Sequence, residues 1–172
     1  MSQLRLSKMT QDLEIDKISC GVPSIDEMIK NAYYEQLCKQ GVAYNIFVDH
    51  KIIGNCMIKF VCLQDEMNDY VCGSPEFVAC EIAYIAIDKR VQHQKFGSVV
   101  LNILINHIGN LAKELPIRFL VIDALKDKEQ WYVHNGFQVY PKKADLRHPD
   151  TIPMLIDFID KNAVERYIDG LA

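Results

Sequence analysis

The chain has 172 residues, of which 49% are hydrophobic and 24% are charged, a composition typical of one globular domain spanning residues 1–172. No apolar run reaches the ~18 residues of a membrane span, and the N-terminus lacks a signal-peptide core, so we expect a cytoplasmic protein with no membrane partner. The formal net charge of −4 disfavours a nucleic-acid partner without excluding one, and it suits a cationic, amine-bearing substrate.

The cysteines and histidines give no sign of a cross-linked or metal-binding protein. The six cysteines contain no CxxC pair, and the five histidines are scattered without ligand-type spacing. In a chain without a secretion signal, we therefore expect reduced, buried thiols and no metal site.

The first half of the chain is predicted to form a strand, a helix and a hairpin. The helix begins at a capping box, Ser24-Ile25-Asp26-Glu27, and its apolar residues recur at helical spacing to Leu37. Gly41 is placed to end it. The predicted strands are residues 4–9, 43–49 and 52–63, with Asp49-His50-Lys51 as a hairpin turn and a polar loop over residues 64–75.

The second half centres on a strand, Glu81–Ile87, a turn, Gln92–Ser98, and an apolar helix over residues 98–114. Such a turn points backbone N–H groups and the positive end of the helix dipole at one spot, which suits a pyrophosphate. The remaining predicted elements are strands 118–125, 137–140 and 151–158, a short helix over 127–135 and an amphipathic helix over 161–172.

These segments resemble the GNAT superfamily of N-acetyltransferases over nearly the full length. Residues Gln92–Gly97 resemble its Gln/Arg-x-x-Gly-x-Gly/Ala pyrophosphate loop, although Lys95 stands where the first glycine is usual. Ile85-Ala86-Ile87-Asp88 resembles the Leu-Ala-Val-x strand end, and Gln130–Phe137 resembles the Ala-x-x-Phe-Tyr-x-x-x-Gly-Phe block. The three segments keep the family's order and spacing. Cys20-Gly21, the capped helix that follows it, and Val121–Leu125 are similar to a branch of toxin-like enzymes that acetylate aminoacyl-tRNA.

The resemblance implies an α/β (α+β-like) GNAT fold, with a central mixed, mostly antiparallel sheet of six to seven strands flanked by helices. It implies acetyl-CoA as co-substrate, with the pantetheine arm paired to the strand backbone as an added strand. The residues implied to hold the cofactor are Ile85, Ala86, Ile87, Gln92, His93, Gln94, Lys95, Phe96, Gly97 and Ser98.

Two residues are candidates for catalysis. Tyr132 matches the family tyrosine that faces the CoA sulfur, which implies an acid for the leaving thiolate; an aromatic that only packs the short helix is the alternative. Glu81 stands four residues before Ile85, where some members place a catalytic base; the alternative is a solvent-facing glutamate. On a regular strand Glu81 and Tyr84 face opposite sides, unless a bulge intervenes.

The acceptor of the acetyl group stays open at this point. The main hypothesis is a primary amine of a small molecule or peptide, and the alternatives are aminoacyl-tRNA and a non-catalytic acetyl-CoA-binding regulatory module. A basic cluster of Lys142, Lys143, Arg147 and His148 is interpreted as a solvated loop more readily than as a nucleotide grip. The family often dimerises, so a homodimer is a further expectation.

Overall fold

The computed structural model describes residues 3–10, 15–64, 76–140 and 150–171. Residues 65–75 of the predicted polar loop 64–75 and the basic cluster Lys142–His148 lie outside these residues, while Gln64 ends a strand. The described elements are β1 Leu4–Lys8, α1 Pro23–Leu37, β2 Val42–Val48, β3 Lys51–Gln64, β4 Glu76–Ile87, α2 Phe96–Leu111, β5 Ile117–Leu125, α3 Glu129–His134, β6 Gln138–Val139, β7 Thr151–Asp157 and α4 Lys161–Asp169. No helix within this part of the chain has the length and apolar character of a membrane span.

The strands form one sheet in the order β1-β2-β3-β4-β5-β7-β6. Every described neighbour pair is antiparallel except β4 and β5, which are parallel and joined through α2. A mixed, mostly antiparallel sheet with flanking helices is therefore confirmed.

The core lies on both faces of the sheet. The α2 side holds the larger cluster, in which Val100, Leu101, Leu104 and Ile108 of α2 are buried with sheet residues such as Ile82. The α1 side holds a second cluster, which includes Ile29, Ala32, Met57, Tyr84 and Ala86. The central strands β4 and β5 are therefore packed between helices on opposite faces.

The predicted capping box of α1 is wrong. The helix begins two residues earlier than that box implies, with Pro23 in its first turn and Val22, in place of Ser24, as an N-cap without a side-chain bond. Asp26 reaches back instead, and its carboxylate accepts hydrogen bonds from Ser19 Oγ at 2.7 Å and from the Cys20 N–H at 2.8 Å. The helix also ends before Gly41, because Lys39 takes a left-handed conformation with φ 61°.

The hairpin between β2 and β3 is as predicted. Asp49 and His50 form its two-residue loop, and both have positive φ, 46° and 69°. A two-residue loop with positive φ at both positions is the type I′ turn, whose twist matches that of the flanking strands. This turn sets the pairing of β2 with the start of β3, and β3 pairs with β4 on its other side.

The thiols only partly follow the expectation of burial. Cys56 and Cys80 are fully buried, as predicted, while Cys38 and Cys62 are exposed. Cys38 is exposed because it is the C-cap of α1.

Candidate active site

An opening separates the C-terminal halves of β4 and β5. The two strands pair only from Val78 to Glu81 on β4 and from Ile117 to Val121 on β5. Beyond these residues β4 continues to Ile87 and β5 to Leu125 without pairing to each other. The opening is therefore flanked by two strand edges whose main-chain groups lack each other as partners.

The main chain of Ile85 and Ile87 faces this opening. Asp88 N–H donates to Ile53 O of β3 at 2.8 Å, and a Cβ on Gly54 of β3 would lie 2.2 Å from Ala86 O. Asp88 and Ala86 thus direct their main chain toward β3. Alternate residues of a strand point their N–H and C=O groups the same way. The main-chain groups of Ile85 and Ile87 therefore point away from β3 and toward β5.

The turn after β4 is fastened by Gln92. Its side-chain Nε2 donates to Ile87 O at 2.8 Å and to Cys20 O at 2.9 Å. A second tie comes from the Lys89 N–H, which donates to Ser19 O at 2.9 Å. The Gln92 amide therefore joins β4, the turn and the segment before α1.

The first turn of α2 offers N–H groups that no side chain caps. Its N-cap is Lys95, at φ 63° and ψ 8°, and Lys95 makes no side-chain cap bond. Lysine thus adopts the left-handed conformation that glycine takes at no steric cost. No acidic residue lies in the first turn, so the unpaired N–H groups and the positive helix end suit an anion. His93, at φ 64°, and Gln94 are exposed just before it.

The charge of this turn is opposite to that of the chain. Residues 88–98 carry three cations, Lys89, Arg90 and Lys95, and one carboxylate, Asp88, whereas the chain has a net charge of −4. Arg90 donates to the buried Asp88 carboxylate through Nε at 2.8 Å and Nη2 at 2.7 Å. These hydrogen bonds lower the pKa of Asp88 and keep it ionised. Lys89 and Lys95 are exposed and add positive charge beside the helix end.

Tyr132 lies in the α2-side core, where it is 7% exposed. Its ring packs edge-on against Trp131 and Phe137, with centroid distances of 4.6 and 5.5 Å. Burial raises the pKa of the phenol, so it stays protonated at neutral and mildly alkaline pH. Among the described residues, its hydroxyl has no hydrogen-bond partner. A protonated phenol without a partner can donate to a bound group.

Trp131 is a contact that the sequence did not indicate. Its Nε1–H donates to Ser98 Oγ at 3.0 Å, and its Cζ2 would lie 3.7 Å from a Cβ on Gly97. The structure therefore brings α3, with Tyr132, against the first turn of α2. The sequence feature that could have drawn attention to Trp131 is that the single tryptophan of the chain directly precedes Tyr132.

Glu81 lies on the other face of the sheet from Tyr132. Ile82 belongs to the α2-side core, so its neighbour Glu81 points to the α1 side. A β-bulge follows: Ile82 pairs with Ile58 and Tyr84 with Met57, which leaves Ala83 as the extra residue. Glu81 and Tyr84 consequently share the α1 face, contrary to the regular alternation. Glu81 is half-buried and is the last β4 residue paired with β5.

Solved structures of bacterial toxins are similar to this chain. One bacterial toxin has a TM-score of 0.78 at 14% identity, covering 98% of this chain and 97% of that chain. AtaT complexed with acetyl-methionyl-tRNAfMet has a TM-score of 0.74 at 14% identity, covering 96% and 99%. A tyrosine-to-phenylalanine mutant of AtaT, bound to the C-terminus of the antitoxin AtaR and acetyl-CoA, has a TM-score of 0.71 at 14% identity, covering 96% and 98%.

These similarities show the fold. The predicted GNAT fold is confirmed, because the toxins match over nearly the whole of both chains. No protein-family model matches the chain, and no curated protein sequence matches it either.

Proposed function

We propose that the protein is an acetyl-CoA-dependent N-acetyltransferase that acts on the amino group of an aminoacyl-tRNA. The observation that carries the proposal is the opening between β4 and β5, which leads to the uncapped, positively charged first turn of α2. Its free strand edge suits an amide-rich arm, and the helix end suits a pyrophosphate. The full-length similarity to AtaT in its acetyl-methionyl-tRNAfMet complex favours this acceptor over a small molecule or peptide.

The cofactor would be held mainly by main-chain groups. Ile85 and Ile87 offer N–H groups, and Ile85 its C=O, along the opening. Ile87 O already accepts from Gln92. The first turn of α2, from Lys95 to Ser98, offers its N–H groups to the pyrophosphate, and the exposed Lys95 ammonium adds charge there. Bound there, acetyl-CoA supplies an activated thioester.

The two candidate catalytic side chains lie on opposite faces of the sheet, so a thioester in the opening between β4 and β5 would be reached from both sides. Glu81, on the α1 face, removes a proton from the ammonium group, directly or through a water, and the neutral amine then attacks the thioester carbonyl carbon. Tyr132, on the α2 face, donates its proton to sulfur as the C–S bond breaks. The second amine proton and the proton on Glu81 pass to solvent, from which the phenol is reprotonated.

The acceptor assignment rests on local rather than total charge. A net charge of −4 disfavours tRNA as a whole, and it favours a small cationic amine as the second candidate. The turn that follows β4 is nevertheless positive, and exposed Lys126 follows β5 at the same end of the opening, while Lys128 beside it is paired with Asp127 at 2.6 Å. Cations at this end can pair with the phosphates near an aminoacylated 3′ end.

The test is acetyl transfer from labelled acetyl-CoA to a set of aminoacyl-tRNAs, compared with the matching amino-acid amides and peptides. We expect product with at least one charged tRNA, falling steeply as salt rises. We expect Tyr132→Phe to lose about 10²-fold in kcat with unchanged acetyl-CoA affinity. Tyr34→Phe, on the exposed face of α1, is the matched control.

The outcomes separate the three functions. Transfer to amides or peptides but to no charged tRNA would overturn aminoacyl-tRNA as the acceptor, while acetyl transfer from acetyl-CoA to an amine would stand as the reaction. Tight acetyl-CoA binding without transfer to any acceptor would overturn catalysis in favour of a regulatory binding module.

A further inference from the structure

Trp131 links the two ends of the proposed cofactor site. Its Nε1–H donates to Ser98 Oγ in the first turn of α2, at 3.0 Å. Its ring lies 4.6 Å, centroid to centroid, from that of Tyr132. One side chain therefore contacts both the turn proposed for the pyrophosphate and the phenol proposed to face the sulfur.

The hydrogen bond determines how the Ser98 hydroxyl can be used. An indole N–H only donates, whereas a hydroxyl has one donor hydrogen and two acceptor lone pairs. Ser98 Oγ is thus the acceptor from Trp131, and its own hydrogen remains for a different oxygen. Within the described ranges no main-chain or side-chain group accepts that hydrogen.

We propose that Trp131 is a positioning residue that holds the Ser98 hydroxyl as a donor to the pyrophosphate of acetyl-CoA, an inference that rests on the proposed function. Ser98 lies in the first turn of α2, where the N–H groups of Phe96, Gly97 and Ser98 lack intrahelical partners. The hydroxyl adds one more donor to this set. Without Trp131, the Ser98 hydroxyl is free to rotate among its staggered rotamers, so its hydrogen is no longer directed at the ligand.

The frame that presents Trp131 is firmly fixed. Asn135 Nδ2 donates to Trp131 O at 2.7 Å across one turn of α3, and the Phe137 N–H donates to Tyr132 O at 3.1 Å. Next to the indole, a Cβ on Gly97 would meet only Cζ2 of Trp131 at 3.7 Å, an ordinary contact distance. The indole therefore fills space beside the turn without crowding it, and only its N–H is directional.

The test separates the N–H of Trp131 from its packing. Trp131→Phe keeps an aromatic ring beside Tyr132 and removes the donor, and Ser98→Ala removes the acceptor. We expect each variant to weaken acetyl-CoA binding, measured by calorimetry, by about tenfold. The double variant should lose no more than either single one, since both remove one unit. The affinity for acetylpantetheine, which lacks the pyrophosphate, should fall by much less than the affinity for acetyl-CoA.

His134→Gln, on the exposed side of α3, is the matched control and should bind acetyl-CoA as the wild type does. Thermal unfolding checks that each variant is folded, and if Trp131→Phe fails to fold, Ser98→Ala tests the same bond from its other end. Three results would overturn this inference but not the proposed function. They are an acetyl-CoA affinity equal in the wild type and the variants, additive losses of that affinity in the double variant, and an equal loss of affinity for acetylpantetheine. A wild type that binds no acetyl-CoA would overturn the proposed function and the inference together.

Discussion

Ile82 and Tyr84 point to opposite faces of the sheet, although only one residue separates them. The bulge at Ala83 produces this arrangement, and it places the Tyr84 ring under α1. There the Tyr84 hydroxyl donates to Asn55 Oδ1 at 2.6 Å, and Asn55 Nδ2 donates to Asn45 Oδ1 at 2.9 Å. All three side chains are buried. A chain of buried polar groups therefore holds the bulged part of β4 to β3 and β2.

The first prediction is that Tyr84→Phe destabilises the protein. Removing the hydroxyl takes away the donor to the buried Asn55 Oδ1, and a buried acceptor left without its partner costs about 1–3 kcal/mol. Urea unfolding measures the loss. Tyr34→Phe is the control, since Tyr34 is 69% exposed and its free energy of unfolding should change by less than about 0.5 kcal/mol. Equal midpoints for the two variants would show that Tyr84 does not support the fold.

The second prediction concerns Lys95, which has a left-handed backbone at the N-cap of α2. A side chain in this conformation costs about 1–2 kcal/mol, and glycine avoids that cost but loses more entropy on folding. We therefore expect Lys95→Gly to raise the free energy of unfolding by about 1 kcal/mol. Lys95→Ala removes the same charge but keeps a Cβ, so it should give no such gain. If alanine stabilises as much as glycine, loss of the ammonium is the cause instead of backbone strain.

The sequence predicted the parts of this fold that depend on local pattern. The order of strands and helices, the hairpin at Asp49-His50 and the buried helix α2 follow from periodicity and turn residues that are close in the chain. The boundary of α1 was missed because Asp26 bonds to Ser19 and Cys20, upstream of the helix, instead of to the first turn.

The contacts that shape the candidate site are of another kind. The bulge at Ala83 is defined by its partners Met57 and Ile58 on β3, and nothing in the residues around Ala83 marks it. The bond from Trp131 to Ser98 joins residues 33 apart. Both depend on how elements meet, which a single sequence does not encode in a readable pattern.

The third prediction is a loss of stability between pH 9 and pH 12 that depends on the buried thiols. Burial raises the pKa of Cys56 and of Cys80 from 9.0 to about 12. Above pH 9 the unfolded chain loses these protons while the folded protein keeps them, so stability is full below pH 9 and falls as pH rises toward 12. Each thiol contributes a slope of up to about 1.4 kcal/mol per pH unit.

Cys56→Ala should flatten this decline relative to its own stability at pH 8, as measured by urea unfolding across the range. Cys38→Ala is the control, because Cys38 is exposed and its substitution removes no buried thiol. An equal slope in Cys56→Ala and the wild type would mean that the buried thiol does not govern the decline.

The fourth prediction tests Glu81 as the base. A primary α-amino group has a pKa of about 7.7–8.0, so at pH 6.5 most of the acceptor is protonated and its proton must be removed. Glu81→Gln should therefore lower kcat/KM for the acceptor by about 20-fold at pH 6.5, where only about 3–6% of the amine is neutral, and by much less at pH 9, where the amine is already neutral. The variant's profile should follow the ionisation of the free amine, whereas the wild type should stay active to lower pH.

The control for Glu81 lies on the same strand. Glu76→Gln changes an exposed glutamate at the start of β4, far from the end of the β4–β5 pairing, and should leave the pH profile unchanged. A Glu81→Gln variant that loses the same factor at every pH would assign Glu81 a structural or binding role, because loss of a base must be relieved once the amine is neutral. Since Glu81 is the last β4 residue that pairs with β5, such a result would indicate that it fixes where the two strands separate.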